Sequence, residues 1–303
     1  MTSTKVPEVR CLLQCGDVVG ESAVWSPTDQ TLYWVDIVGR RIQGLTYPAA
    51  EYRSWTTPDF VTSIGLCVGG GWIVGLRRDV FIWDGEGQFN WLARPEPEQP
   101  RNRLNEGKVG PDGSYWVGTM QDNLADDGTP LPITESTGAI YRIDRLGKVQ
   151  RMTDRPIGVT NTLVWTRDGQ LITADTLTNQ IWAYQCVSET EVLGARTAFG
   201  APFSRGLPDG SCLDNEGYLW NCRVAGGGCV VRFAPNGVVD RVIELPCSWP
   251  TSCAFGGPDL STLFVTSARF TMADAHLAAN PWEGGLFALE PGEQGCAETC
   301  WKG

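Results

Sequence analysis

Histidine is almost missing from this chain, with His276 the single example in 303 residues. A zinc site of several imidazoles is therefore excluded, and no G-x-S-x-G elbow nominates a serine nucleophile. His276 lies in a polar segment after Phe270 and reads as a surface or loop residue. Phosphate-binding loops and dinucleotide fingerprints are also absent. Positive charge is scarce: 24 Lys and Arg stand against 35 Asp and Glu, a net charge of -11. Such a field repels phosphate backbones, and no basic run is interleaved with aromatics, so nucleic acid is not an expected partner. Nowhere do about 18 apolar residues run together, and the first ten residues, MTSTKVPEVR, hold no apolar core for a signal peptide. The expectation is a soluble, cytoplasmic protein with no membrane partner. The 11 cysteines form no CxxC pair, and read as buried free thiols of a reducing compartment. Cys11 and Cys15 near one end and Cys296 and Cys300 near the other could meet if the termini pair.

Long amphipathic runs of Ala, Leu, Glu and Lys are lacking too, whereas Trp reaches 13, Gly 36 and the hydrophobic fraction 42%. That mixture suits short strands joined by tight turns, and points to an all-β class with a packed core. Six segments share one outline: a small polar residue, about four strand residues, a Gly/Pro/Asp turn, and a second strand carrying an aromatic. They begin at Glu21 (ESAVWSPTDQTLYWVD), Ser63 (SIGLCVGGGWIVGL), Asn105 (NEGKVGPDGSYWVGT), Asn161 (NTLVWTRDGQLITAD), Asp209 (DGSCLDNEGYLWNCR) and Thr251 (TSCAFGGPDLSTLFVTS). Their spacings are 42, 42, 56, 48 and 42 residues, close to the period of a four-stranded propeller blade. The reading is one six-bladed β-propeller domain spanning residues 1–303. The long third interval holds Asp122 to Gly138, a polar, Pro/Gly-rich insertion and candidate lid. The last unit runs out of chain after GGLFALE, so its outer strand is expected from EVRCLLQ at the amino end. Closing the ring in this way leaves no exposed edge.

In a propeller the innermost strand of each blade lines the axial channel, so equivalent positions of the six units converge. The aligned residues are Glu21, Ser63, Asn105, Asn161, Asp209 and Thr251, all polar. Burying them requires partners, and the two carboxylates repel unless a proton or cation sits between them. Glu21, Asn161 and Asp209 offer oxygen alone, the preference of hard divalent ions. The alternative is that these side chains bond only ordered water or backbone at the channel rim.

At these residues the sequence resembles the family of gluconolactonases and senescence marker protein 30 (regucalcin). The matching stretches are GESAVW around Glu21, RLNEGKVGPDGSYWVGTM from Arg103, TNTLVW around Asn161, GLPDG around Asp209 and PTSCAFGGPDLSTLFVTSAR from Pro250, in order along nearly the whole chain. The resemblance implies a six-bladed propeller lactonase that binds one divalent ion through Glu21, Asn161 and Asp209. It also implies that Arg103, Asn105 and Glu106 contact sugar hydroxyls. Three departures bear on substrate preference. Glu106 stands where Asp is usual, TNTL where Asn is generally followed by Gly, and Asn123 where some animal members carry an acidic residue. A second PDG, at Pro111 to Gly113, falls in a hairpin turn and marks Asp112 as structural. Asp36 and Asp175, which end second strands, read as bonding backbone or loop donors.

The expected reaction is metal-dependent hydrolysis of a sugar lactone to its aldonic acid. The ion would polarise the carbonyl, Asp209 would act as general base, and Arg103 with Asn105 would position the hydroxyls. The ion could be Ca, Mg, Mn, Fe(II) or Zn, and neither the particular lactone nor the oligomeric state is legible. The alternatives are a related propeller hydrolase of aryl esters or phosphotriesters, and a non-catalytic calcium-binding propeller.

Overall fold

The computed structural model describes residues 7–185 and 192–303. Its strands form six antiparallel sheets of four, arranged as blades around one axis. Blade 1 comprises Gly20–Ser26, Thr31–Asp36, Arg41–Thr46 and Tyr52–Thr56, and blade 2 comprises Val61–Leu66, Trp72–Leu76, Val80–Trp83 and Phe89–Ala93. The inner strands of blades 3, 4 and 5 are Asn102–Val109, Thr160–Trp165 and Leu207–Leu213. Blade 6 takes Pro250–Gly256, Thr262–Ser267 and Leu286–Leu289 from one end of the chain and Arg10–Leu13 from the other. Arg10 pairs with Ala288 and Cys11 with Phe287, the closure that the amino-terminal strand pattern foretold. Each inner strand packs against the inner strands on both sides, and blade 6 packs against blade 1, so the ring is complete. It is a six-bladed β-propeller.

Burial follows position within a blade. The second strand of blade 1, Thr31–Asp36, is buried at every residue, while its outermost strand, Tyr52–Thr56, is nearly all exposed. A middle strand has a neighbouring blade over each face and so carries apolar residues on both. The core is correspondingly divided among the seams. Val24, Val35 and Ile42 meet Phe60, Ile64 and Trp83 between blades 1 and 2. Trp25 stacks on Phe264 with centroids 5.7 Å apart where blade 6 meets blade 1. Hairpin turns within blades use glycines at positive φ, such as Gly169 at 81° and Gly217 at 85°, which L side chains adopt at a cost.

All ten described cysteines are free thiols, and the amino- and carboxy-terminal ones do not pair. Cys186 lies outside the described residues. The polar stretch around His276 contains a short helix, Asp274–Ala279, with His276 Nε2 3.0 Å from Glu283. No helix among the described residues is long and apolar enough to cross a membrane.

Candidate metal and substrate site

Every inner strand carries a register irregularity near its first residues. The shifts fall between Glu21 and Val24, Val61 and Ser63, Leu104 and Gly107, Asn161 and Leu163, Pro208 and Ser211, and Pro250 and Cys253. A bulge adds a residue against its partner strand, bends the backbone and re-aims side chains. Here all six bulges lie at the same level, the mouth of the channel, where the six aligned polar residues stand.

Side chains at this level bond across blade boundaries. The amide of Ile64 donates to Ser22 Oγ (3.0 Å), that of Ala23 to Ser252 Oγ (3.2 Å), and Ser63 Oγ shares a hydrogen bond with Tyr115 Oη (2.7 Å). Thr251 Oγ1 donates to the Gly20 carbonyl. Two bonds run from blade 4 to blade 5. Thr162 Oγ1 donates to the Asp209 carbonyl (2.5 Å), and Thr176 Oγ1 to the Pro208 carbonyl (2.8 Å). Thr162 pays for its place with a φ of 56°, unfavourable for a β-branched residue. Its hydroxyl bonds offset that cost, so this position accepts threonine where glycine would be unstrained. The glycine after Asp209 is needed for closeness: a Cβ on Gly210 would stand 2.8 Å from the Thr251 carbonyl oxygen.

These contacts divide the six aligned residues into two groups. Ser63 and Thr251 spend their hydroxyls on seams. Asn105 donates from Nδ2 to the Thr160 carbonyl (2.9 Å) and to Asn161 Oδ1 (3.1 Å), and its Oδ1 accepts from Arg103 Nη1 (2.8 Å). Both its amide hydrogens are used, so it can offer a ligand only an acceptor lone pair. Asn161 Nδ2 donates to Thr176 Oγ1 (2.8 Å), which fixes the amide and directs Oδ1 toward Asn105 and the channel. Thr176, in the turn after Asp175, carried no signal in the repeat, yet it holds Asn161 and the carbonyl next to Asp209.

Among the described residues Glu21 and Asp209 touch no cationic side chain. Asp209 is 6% exposed, and its Oδ1 is buried with no hydrogen-bond partner. Glu21 accepts only from the amide of Ser22 (3.2 Å). Burial pushes the Glu21 carboxyl well above the usual range, followed by the charges of Asp209 and Glu106. Burial likewise raises Asp209, with Glu106 adding to it. Glu21 thus feels the charge of Asp209, Asn161 is tied through Thr176 to the strand of Asp209, and Asp209 carries an orphaned oxygen. This donor set, all oxygen and with no cation in contact, fits a hard divalent ion. Among the described residues no three or more His, Cys, Asp or Glu side chains gather to hold a metal, so the candidate set here rests on two carboxylates and an amide.

Arg103 is 6% exposed and is held from three sides. Nε donates to Asn123 Oδ1 (3.0 Å), and Nη1 donates to the Leu104 carbonyl and Asn105 Oδ1 (2.8 Å each). Burial lowers its pKa to about 10, which leaves it charged. Among the described residues Glu106 has no hydrogen-bond partner. Burial raises it to about 7, against the opposing charge of Lys108. It feels Glu21 and Asp209 on one side, and Lys108 and Glu298 on the other. Asn105 and Glu106 both lie in the bulge between Leu104 and Gly107, so Glu106 stands next to the mouth residues in the chain and acts on the charges of Glu21 and Asp209.

The far end of the channel is different. A cavity of about 200 Å³ there is lined by Lys108, Cys212, Phe255 and Glu298, with Lys108 Nζ bonded to Glu298 at 3.1 Å. The carboxy-terminal tail crosses it, bridging Gly295 to Asp214 and Trp301 to Cys67. It lacks the converging oxygens of the mouth. Asp36, Asp175 and Asp112 are structural. Asp36 accepts from the amides of Val19 and Gly39, Asp175 from those of Gly158 and Val159, and Asp112 from Ser114 N and Arg142.

Comparison with known proteins shows the family to which the chain belongs. The family model described as "SMP-30/Gluconolactonase/LRE-like region" matches residues 19–269. A 6-deoxy-6-sulfogluconolactonase of Pseudomonas putida is 33% identical over 309 aligned positions, covering 97% of this chain and 99% of that one. An L-arabinolactonase of Azospirillum brasilense is 30% identical, over 95% and 93% of the two chains. Among solved structures, a calcium-binding regucalcin of Agrobacterium tumefaciens superposes with a TM-score of 0.88 at 27% identity, covering 99% of this chain and 98% of that one.

Proposed function

Because the chain belongs to the SMP-30/gluconolactonase/LRE-like family, we propose that it hydrolyses a sugar lactone to the aldonic acid with the help of one divalent ion. The observation that supports this reading is that the partly buried Glu21 feels the charge of the buried Asp209, whose Oδ1 has no partner among the described residues, while Asn161 is tied through Thr176 to the strand of Asp209. The relatives named for their activity act on a sulfogluconolactone and an arabinolactone, and a structural relative is described as calcium-binding.

Glu21, Asn161 and Asp209 would hold the ion, which supplies Lewis acidity for a carbonyl and for water when bound. Asp209 has a second task. Its carboxylate accepts a proton from the attacking water as the new C–O bond forms, and returns it to the ring oxygen as the C–O ester bond breaks. Glu21 keeps its charge throughout. Asn105 accepts a hydrogen bond from a sugar hydroxyl through its remaining lone pair, and Arg103 Nη2, which has no protein partner among the described residues, can donate to another. Together they hold the ring so that its carbonyl faces the carboxylates, a positioning effect. Glu106, in the same bulge as Asn105, would be a further contact for the sugar.

The test follows acid release from a panel of aldonolactones with protein stripped by chelator and then given one ion at a time. Activity should vanish with the metal and return with one ion. Full activity in excess chelator would overturn the site. Hydrolysis of phosphotriesters at rates above every aldonolactone would overturn the substrate class.

A further inference from the structure

The charges around the mouth do not cancel evenly. Beside the insertion, Asp122 Oδ2 receives Arg77 Nε at 2.7 Å and Arg78 Nη2 at 3.0 Å, while Asp126 receives Arg77 Nη1 at 2.7 Å. Two arginines there meet two aspartates. Lys108 and Glu298 form a pair at the far end. At the centre stand Glu21 and Asp209, whose charges a divalent ion would match, with Glu106 near both. Arg103 feels Asp122, Glu21 and Asp209 from farther off, yet among the described residues it touches no acid. Each of its contacts is a neutral oxygen, the amide of Asn123, the amide of Asn105 or the carbonyl of Leu104, and its Nη2 has no protein acceptor among the described residues.

A buried guanidinium with no carboxylate in contact costs more than a paired one, and polyol hydroxyls do not require a full positive charge for recognition. An anion does. Planar N–H groups suit the oxygens of sulfonate and phosphate, and charge-assisted bonds to them are roughly twice as strong as neutral ones. Arg103 also stands at the right remove. It bonds Asn105, and Asn105 bonds Asn161, so its guanidinium is two hydrogen bonds away from the oxygen cluster that would face the lactone carbonyl. It therefore stands beside the oxygen cluster and not within it, where it would meet a substrate group other than the reacting bond.

We propose that Arg103 receives a second, anionic group on the substrate, so that the preferred lactones carry a sulfonate or phosphate on the carbon remote from the carbonyl. The inference rests on the lactone-hydrolysis reading of the same site. Asn123 is the positioning residue: a neutral oxygen at Arg103 Nε leaves the charge for the ligand, where a carboxylate would consume it.

The experiment compares kcat/KM of the metal-loaded protein for glucono-1,5-lactone, its 6-phosphate and its 6-deoxy-6-sulfo analogue. Wild type should favour at least one anion over the neutral lactone by about tenfold or more, and the favoured one identifies the group. In Asn123→Asp the anion-to-neutral ratio should fall about tenfold, and in Arg103→Gln it should approach one. Raising ionic strength from about 20 mM to about 500 mM should erode the wild-type ratio as well, a readout that needs no variant to fold. A neutral lactone opened as fast as both anions, or a ratio unmoved by Asn123→Asp, overturns the inference while leaving lactone hydrolysis standing. Hydrolysis of none of the three, with other aldonolactones also untouched, overturns the underlying reading instead.

Discussion

Replacing Thr176 by valine removes one hydroxyl and almost no volume. That hydroxyl accepts from Asn161 Nδ2 and donates to the Pro208 carbonyl, both at 2.8 Å, and Thr176 is 9% exposed. Valine leaves two buried groups unpaired, each costing about 1–3 kcal/mol before relaxation and water entry. A net loss of about 2 kcal/mol is expected, equivalent to about 3 °C in Tm for a chain of this length. Metal affinity should suffer separately. With its Nδ2 released, the Asn161 amide can turn, and the donor oxygen is no longer fixed. Outer contacts of this kind are worth about 10–100-fold in metal binding. Titration of the stripped protein with Mn(II), followed by its electron paramagnetic resonance signal, measures this without reference to turnover. Thr176→Ser keeps the hydroxyl and should bind within about threefold of wild type. If Thr176→Val binds Mn(II) as tightly as wild type, Thr176 does not set the amide, and the assignment of Asn161 Oδ1 to the metal loses its structural support.

Other expectations follow from the same contacts. Asp209→Asn should retain the fold and lose turnover by about a thousandfold or more, the range expected when both proton transfer and a metal contact fail; near-normal turnover would sink the proposed role. Glu21→Gln should mainly weaken the metal, with kcat partly restored at saturating ion and the dissociation constant raised in calorimetry. Stability of the metal-free protein should depend on pH in a definite direction. Burial and the facing acids raise Glu21 and Asp209 in the folded state, so the folded chain binds protons more tightly than the unfolded one. That stabilisation is present at acid pH and is lost as pH climbs above the unfolded carboxylate range of about 4. Urea unfolding at several pH values should show the decline in chelator and little of it with saturating ion. A metal-free protein that gains stability from acid to neutral pH would contradict the buried-carboxylate account.

Much of the architecture was legible because a propeller repeats its constraints. Each unit needs an aromatic second strand to fill a seam and a Gly-containing turn between inner strands, so Asn161-TLVWTRDG and Asp209-GSCLDNEG can be placed in register by inspection. The amino-terminal strand could be assigned because the sixth unit was one strand short. The bulges were not legible. Their bend arises from pairing with the next strand, and Gly210 is among the few composition traces they leave. Thr162 shows why: a β-branched residue at positive φ contradicts local preference, and only its hydroxyl bond to the Asp209 carbonyl accounts for it. Thr176 was hidden for a similar reason, since it lies in a turn outside the aligned motif and reaches Asn161 through three-dimensional proximity. Glu106 was named with Arg103 and Asn105 because the family resemblance maps onto all three, and Asn105 and Glu106 share the bulge between Leu104 and Gly107.

The strand that closes blade 6 also governs when the molecule can become whole. Arg10–Leu13 precedes every other described strand along the chain, yet Leu286–Leu289, the partner it must find, follows all of them. Joining them closes a loop of nearly the entire chain, at an entropic cost of about 5 kcal/mol beyond the fixed part. During synthesis the earlier blades can stack one upon another, but the ring stays open with an unpaired edge until the carboxy-terminal strands arrive. Asn161 and Asp209 can then be in place on adjacent blades while Glu21, across the unsealed joint, is not. Binding of the ion would reward only the finished circle, making the metal a latch on the last step of assembly.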